Sequence, residues 1–202
     1  MAEEFLSVRM ADLSPDETHE LLSSAIVPRP IAFISTCDVA GNLNLAPFSF
    51  FTAGGSNPAS VVFSSTLNAE GHEKDTLRNV LDTREFVVNA VHRAMAPGMV
   101  AASIEFGSQT SEWAVAGYTV APSVLVRPPR VRESLVQLEC RLFQIVEHGS
   151  GPSAARYVIG EVLLAHLSPE IAADPAQLRT ISRLGGRIYA DLASMELFRL
   201  SD

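Results

Sequence analysis

The stretch VPRPIAFISTCDVAGNLNLAPFSFF, residues 27–51, decides the fold, because it contains two apolar segments separated by a turn. Residues 27–36 are rich in β-branched and aromatic side chains, and their two prolines lie at the start, where a missing N–H is tolerated. Residues 38–42 (DVAGN) carry Asp, Gly and Asn, which favour a tight turn. Residues 44–51 then return as a second strand. The pattern predicts an antiparallel hairpin.

Composition and charge narrow the classes of function. A chain of 202 residues with 47% hydrophobic and 19% charged residues is long enough to bury a sizeable core. A net charge of −8 argues against a nucleic-acid partner and against a basic patch that binds membranes. We find no signal peptide and no apolar stretch of the ~20 residues that span a bilayer. We therefore expect a cytoplasmic protein without a membrane partner.

The two cysteines, Cys37 and Cys140, lie within apolar segments that resemble strands. They form no Cys-x-x-Cys pair, and no group of His and Cys has the spacing of a zinc site. Buried free thiols are the simplest interpretation, and we expect no metal.

The rest of the chain alternates short strands with a few helices. Ser14-Pro15-Asp16-Glu17 is typical of a capping box and predicts a helix over 14–24. Residues 134–146 alternate with period two, placing Gln137 and Glu139 on the face opposite Leu138 and Cys140. The other predicted elements are a turn at 53–58, a strand at 60–65, a loop at 67–73, a helix at 75–83, a strand at 85–91, a helical segment at 93–103, a loop at 106–122, a hairpin loop at 147–155, a strand at 156–167 and a short helix or turn at 174–178.

This order of elements predicts a mainly β protein, an antiparallel β-barrel of Greek-key type with a few peripheral helices. An α+β sandwich is the alternative from the pattern alone. A parallel nucleotide-binding sheet is disfavoured, because no Gly-x-Gly-x-x-Gly opens a helix. We expect a single domain over 1–202, with the barrel at 27–168 and a C-terminal tail at 169–202.

The start of the helix at 75–83 is a candidate anion site. A helix N-terminus offers unpaired N–H groups and a positive dipole, to which Lys74 adds a charge and Thr76 a hydroxyl. Three more hydroxyl residues, Ser64, Ser65 and Thr66, end the strand just before it. An ordinary capped helix with an exposed lysine is the open alternative.

The second strand of the hairpin is a candidate site for a flat ring. Alternation sends Phe50 to one face and Ser49 to the other, so backbone groups and an aromatic ring are both available to a ligand. Burial of the clustered phenylalanines in the core is the alternative. Arg29, between two prolines, is costly to bury unless it faces an anion.

Four ordered motifs resemble the flavin reductase-like family of FMN-binding split barrels. They are PRPIAFIST…G…NLAPFSFF within 28–51, KDT..N at 74–79, EFVVN at 85–89 and RLGG..Y at 183–189. The match is close over about residues 20–92. The resemblance implies a split β-barrel that forms a homodimer and binds one FMN per subunit near the dimer interface.

The resemblance also implies roles for individual residues. Hairpin residues would flank the isoalloxazine edge, and the hydroxyl residues would meet the ribityl chain or phosphate. Residues at the helix start would hold the phosphate or order its loop, Arg29 would lie at the phosphate, and tail residues would close the site, from the same or the partner subunit. The implied FMN-binding residues are Arg29, Ala46, Pro47, Ser49, Phe50, Ser64, Ser65, Thr66, Lys74, Asp75, Thr76, Asn79, Arg183 and Tyr189.

One motif departs from the family. Its reductases often carry a Gly-Asp-His turn before the penultimate strand, where this chain has Ser-Ala-Ala-Arg-Tyr at 153–157. The resemblance implies an FMN oxidoreductase that takes electrons from NADH or NADPH and passes them to a flavin or another acceptor. An FMN-binding electron carrier without nicotinamide turnover and a flavin-free interaction protein are the alternatives. No protein residue is assigned as catalytic, because the cofactor would supply the chemistry.

Overall fold

The structure is a computed structural model that describes residues 5–103 and 111–194. Its first α-helix has the predicted capping box: the Glu17 N–H donates to the Ser14 hydroxyl, and the Ser14 N–H donates to the Glu17 carboxylate at 2.8 Å. The described residues form five α-helices, which are α1 Pro15–Ala25, α2 Asp75–Thr83, α3 Ala96–Ala101, α4 Glu112–Ala116 and α5 Pro169–Ala173. Single turns of 3-10 helix lie at Met10–Asp12, Arg93–Met95, Pro175–Gln177 and Leu192–Ser194.

Twelve strands are present in the described part of the chain, and all of their pairings are antiparallel. The strands are β1 Arg29–Pro30, β2 Ala32–Cys37, β3 Leu43–Phe48, β4 Phe51–Ser56, β5 Ala59–Thr66, β6 Glu85–Ala90, β7 Val120–Ala121, β8 Arg130–Val131, β9 Val136–His148, β10 Ala155–Leu167, β11 Ile181–Gly185 and β12 Ile188–Asp191. Seven of them form one sheet in the order β3-β2-β6-β9-β10-β5-β4. The predicted mainly antiparallel β fold is confirmed.

The predicted return strand at 44–51 is two strands. β3 ends at Phe48 and β4 begins at Phe51, and these two strands form opposite edges of the seven-stranded sheet. Pro47 fits an edge strand because it cannot donate to a further neighbour. The chain therefore turns a corner at Ser49–Phe50 and crosses from one edge of the sheet to the other.

Two other predicted loops contain regular structure. The turn expected at 53–58 is shorter, because β4 continues to Ser56 and pairs there with Ala59. The loop expected at 106–122 contains α4 and β7, while its residues 106–110 lie outside the described residues. The buried indole of Trp113 holds α4 against the core.

The core consists of two clusters that meet at β2. All six residues of β2 are buried, and its apolar residues alternate between the clusters at Ala32, Phe33 and Ile34. Phe33 packs with Leu45 and Met99 in one cluster, and Ile34 packs with Phe86 in the other. Burial of every residue of β2, including the polar Ser35 and Thr36, thus reflects a strand that is covered on both faces.

The described residues contain no helix long and apolar enough to cross a membrane. Within the same residues, no group of three or more His, Cys, Asp or Glu side chains is placed to hold a metal ion. Cys37 and Cys140 are buried free thiols, as predicted, and burial raises the pKa of both.

Candidate functional site

The corner between β3 and β4 is the centre of the candidate site. The Ser64 N–H donates to the Phe50 carbonyl at 2.8 Å, which ties the corner to β5. The Phe50 ring contacts the His19 ring edge-on, with centroids 5.6 Å apart, and the Arg29 guanidinium lies 5.6 Å from the Phe50 ring centroid. Helix α1, strand β1 and the corner therefore meet at one aromatic side chain.

A cleft of about 540 Å³ opens at this corner, and we name it the cationic cleft. Its described lining has four cationic side chains and one carboxylate, Glu20. The lining residues are His19, Glu20, Ser23, Ser24, Arg29, Pro47, Phe48, Ser49, Phe50, Ser64, Thr66, Lys74, Arg183, Gly186 and Arg187. This composition suits a small anion.

Arg29 is the most constrained cation of the cleft, with 4% of its surface exposed. Its guanidinium donates to the carbonyls of Ser23 and Ile26, the latter at 2.9 Å, and its Nε lies 3.4 Å from the Ser49 hydroxyl. Burial, and secondarily the charge of Arg183, lower the pKa of Arg29. Arg29 has no carboxylate partner in the described part of the chain. A buried cation without an anion favours an anionic ligand.

The C-terminal hairpin brings a second arginine to the cleft. β1 pairs with β11 so that Arg29 lies opposite Arg183. The Arg183 guanidinium donates twice to the Gly186 carbonyl, at 3.0 and 2.7 Å, and lies 5.9 Å from the Tyr189 ring centroid. Residues of the C-terminal tail therefore line the cationic cleft.

Lys74 joins the cationic cleft to a smaller one of about 260 Å³, which we name the helix-start cleft. Lys74 is the residue before α2 and the only lysine in the sequence. The smaller cleft is lined by Asn44, Ala46, Pro47, Phe48, Asn68, Glu73, Lys74, Asp75, Thr76, Arg78, Ala102, Ser103 and Glu112. The predicted anion site at the start of α2 is thus continuous with the corner at Phe50.

A model of the flavin reductase-like domain matches residues 23–181, which is most of the chain. The chain belongs to the flavin reductase-like domain family. An uncharacterised protein of Aquifex aeolicus is 37% identical over 180 residues, covering 86% of this chain and 89% of that protein. The predicted family is therefore confirmed.

Solved structures agree with this assignment. Component B of nitrilotriacetate monooxygenase from Bacillus cereus superposes with a TM-score of 0.91 at 29% identity, covering 98% of this chain and 100% of that one. A protein with a split barrel domain from Shewanella frigidimarina gives a TM-score of 0.79 at 20% identity, with 95% of each chain covered. This second likeness supports the predicted split-barrel fold.

Most of the residues implied by the resemblance lie together in this flavin reductase-like protein. Eight line the cationic cleft, namely Arg29, Pro47, Ser49, Phe50, Ser64, Thr66, Lys74 and Arg183. Ala46, Asp75 and Thr76 line only the helix-start cleft. Pro47 and Lys74 line both clefts, so the implied residues form one continuous group.

Three implied residues do not line either cleft. Ser65 is fully buried on the core face of β5, because alternation places it opposite Ser64 and Thr66, and its hydroxyl has no partner among the described residues. Asn79 is buried and donates to the Thr36 hydroxyl at 3.0 Å. Tyr189 packs against the core and reaches the site only through Arg183.

Two residues at the helix start are engaged by the protein. Asp75 pairs with Arg78 one turn later. The Thr76 hydroxyl accepts from the Asn44 side-chain amide at 2.7 Å, and Thr76 as a residue is 2% exposed. Of the three residues at this helix start, Lys74 is the one that lines both clefts.

Helix α1 contributes residues that sequence reasoning did not assign to the site. His19, Glu20, Ser23 and Ser24 all line the cationic cleft. No local signal marks them, because the position of a helix over a sheet depends on tertiary contacts. Arg187 also lines this cleft and was not assigned to it, but a local signal for it exists, because it directly follows the Arg-Leu-Gly-Gly motif.

Proposed function

We propose that this protein binds FMN in the cationic cleft and uses it to transfer electrons from NADH or NADPH to a flavin or another acceptor. The main support for this proposal is the buried Arg29, whose charge has no carboxylate partner among the described residues. An FMN phosphate would supply the missing negative charge.

The phosphate would bind between the two arginines and Lys74. Arg29 and Arg183 lie opposite each other, and Lys74 lines the same cleft at the start of α2. The Ser64 and Thr66 hydroxyls are on the cleft face of β5 and could donate to phosphate or ribityl oxygens. A charge-assisted contact to each cation is stronger than a neutral hydrogen bond.

The isoalloxazine ring would lie against the corner of β3 and β4. Phe50 offers an aromatic face, while Ala46, Pro47 and Ser49 form the adjoining strand end. When bound, the flavin supplies reversible two-electron chemistry, so the protein needs no acid or base of its own. The residues of the cleft would orient the ring, balance the phosphate charge and limit access of water.

We also propose that residues 1–202 form one domain and that the protein is a homodimer in the cytoplasm. The homodimer is what the resemblance to the family implies, and exposed apolar side chains such as Phe143 on β9 (67% exposed) and Val124 before β8 (66% exposed) are available to an interface.

The visible absorption spectrum of the purified protein tests the function, recorded before and after addition of NADH without oxygen. Flavin bands that bleach with NADH would support an NADH-dependent flavoprotein. Bands that persist with both NADH and NADPH would favour an electron carrier with another donor. If no band is retained after FMN is added and free flavin removed, the cationic cleft does not hold a tightly bound FMN.

A further inference from the structure

A second large cleft lies next to the cationic cleft, and we name it the apolar cleft. Its volume is about 510 Å³, within the range of small-molecule sites. One wall is α1 with the residues that flank it, and the other is β5 with the β9–β10 turn. It is lined by Leu13, Pro15, Thr18, His19, Leu22, Ile26, Phe50, Ser64, Thr66, Gly149, Ser150, Pro152, Ser153, Ala154, Ala155 and Tyr157.

The described lining of the apolar cleft contains no Lys, Arg, Asp or Glu. His19 and Tyr157 are its titratable side chains. Several apolar groups in it are open to solvent: Leu22 is 42% exposed, Ile26 58% and Tyr157 39%. An anionic or cationic ligand would lose hydration here without gaining a charged partner, whereas an uncharged aromatic ligand would cover apolar surface.

The two clefts share four residues. His19, Phe50, Ser64 and Thr66 line both, so the aromatic corner forms the boundary between them. A ligand in the apolar cleft would therefore lie directly beside the group bound at Phe50. This continuity distinguishes the cleft from an unrelated apolar surface patch.

We propose that the apolar cleft binds an uncharged quinone as the electron acceptor of this protein. The proposal rests on the proposed function, since it requires a flavin in the cationic cleft. The apolar walls match the ring, and the Tyr157 hydroxyl, which lines this cleft and not the cationic cleft, is a donor for one of its carbonyl oxygens. The apolar cleft would thus favour ligands that are uncharged and flat.

The net reaction balances with the donor already proposed. NADH gives up a hydride and becomes NAD⁺, and solvent supplies one proton. The quinone gains two electrons and two protons, and both of its carbonyl groups become phenol hydroxyls.

Duroquinone is a suitable probe, because all four ring carbons that could react with a thiol carry methyl groups. Its binding is measured by calorimetry on the FMN-loaded oxidised protein without NADH, and its turnover is then measured with NADH. Trimethylbenzoquinone sulfonate, which replaces one methyl group by an anion, is the matched ligand. We expect it to bind at least about tenfold more weakly, a difference of about 1.4 kcal/mol.

Ile26→Asp tests the cleft, because the side chain is exposed and its loss leaves the core intact. Leu21→Asp is the control, since Leu21 is 40% exposed on α1, the helix that Ile26 directly follows, but does not line the cleft. We expect Ile26→Asp to weaken duroquinone binding and raise its KM by about tenfold or more, whereas Leu21→Asp leaves both unchanged. Tyr157→Phe removes one donor and should weaken binding by a smaller factor.

Two results would overturn the inference while leaving the proposed function intact. One is a flavin that bleaches with NADH in a protein to which duroquinone binds no better than its sulfonate. The other is Ile26→Asp converting a dimer into monomers with unchanged duroquinone kinetics, because a second copy would then cover the cleft. Failure of the flavin to bind or bleach would instead contradict the proposed function itself.

Discussion

Arg29 and Arg183 lie directly opposite each other in the β1–β11 ladder, so the fold holds two guanidinium groups at one end of the cationic cleft. Like charges on opposite strand positions destabilise a sheet. The pKa of Arg29 is lowered by burial first and by the charge of Arg183 second, as expected for two cations held close together. An anion between the two side chains would relieve the repulsion.

Arg29→Met should therefore weaken FMN binding more than it weakens folding. A hydrogen bond to a charged group contributes about 1.5–3 kcal/mol, so the Kd for FMN should rise roughly 10- to 100-fold. Fluorescence titration gives the Kd and urea unfolding gives the stability. Arg141→Met, an exposed position on β9, is the control and should change neither. An unchanged Kd in Arg29→Met would mean that the phosphate lies elsewhere.

Lys74 permits a direct footprint of the phosphate, because it is the only lysine in the chain. Acetylation by acetic anhydride, followed by peptide mass spectrometry, reports on this one side chain. FMN should protect Lys74, and riboflavin, which lacks the phosphate, should protect it much less. Lys74→Gln should also raise the Kd for FMN roughly 10- to 100-fold. Equal protection by both flavins would show that the ring, and not the phosphate, covers Lys74.

Local signals in the sequence predicted much of this structure. The capping box at Ser14 and the helix at Asp75–Thr83 both depend on residues within one or two turns, and both are present. The hairpin of β2 and β3 follows from its turn residues. These elements place Lys74 at the start of α2 and bring β3 to its end directly before the corner at Ser49–Phe50.

Features set by distant contacts could not be predicted in this way. Apolar residues continue through Ser49–Phe50, so nothing local shows that the chain crosses to the other edge of the sheet there. Gln137 and Glu139 alternate with apolar residues on β9, yet both are buried, because the segment from 122 to 131 covers that face. Likewise the position of α1 over the cleft depends on packing.

A buried polar network supports the floor of the helix-start cleft. Thr36 accepts from the side-chain amides of Asn44 at 3.3 Å and Asn79 at 3.0 Å, and Asn44 also donates to Thr76. Asn79→Ala leaves a buried acceptor without this donor, which should lower the free energy of unfolding by about 1–3 kcal/mol. Asp82→Ala, exposed on the same helix, should stay within about 0.5 kcal/mol of the parent in urea unfolding. Equal effects of the two changes would show that the network adds no stability.

Gly160 permits the close approach of β10 to the Phe86 ring. A Cβ at position 160 would lie 2.2 Å from the Phe86 ring, which is fully buried and cannot move away freely. Gly160→Ala should therefore destabilise the protein by about 1–3 kcal/mol, as overpacking does in other cores. The double variant Gly160→Ala/Phe86→Leu should be less destabilised than the sum of the two single variants, because the smaller leucine leaves room for the added methyl group. Strict additivity in thermal unfolding would argue that the ring is not the cause.

Glu139 should make stability depend on pH in the acid range. Burial would raise the pKa of this fully buried carboxyl, but the N–H groups of Leu125 and Val124, together with His166 at 2.7 Å, outweigh it and hold the pKa below its ordinary value. A lowered folded-state pKa means that the stabilisation is complete above the unfolded value of about 4.3 and is lost as pH falls through the folded value.

Glu139→Gln measures this contribution. Its amide nitrogen cannot accept from the two backbone donors, so the variant should lose about 1–3 kcal/mol near pH 7. The difference from the parent should shrink as urea unfolding is repeated down to about pH 3, because the parent then protonates Glu139. Glu147→Gln is the control on the same strand: its side chain is 71% exposed and pairs with Arg156 at 3.4 Å, so its effect should be small. A difference between parent and Glu139→Gln that is constant with pH would show that Glu139 stabilises the fold by packing rather than by charge.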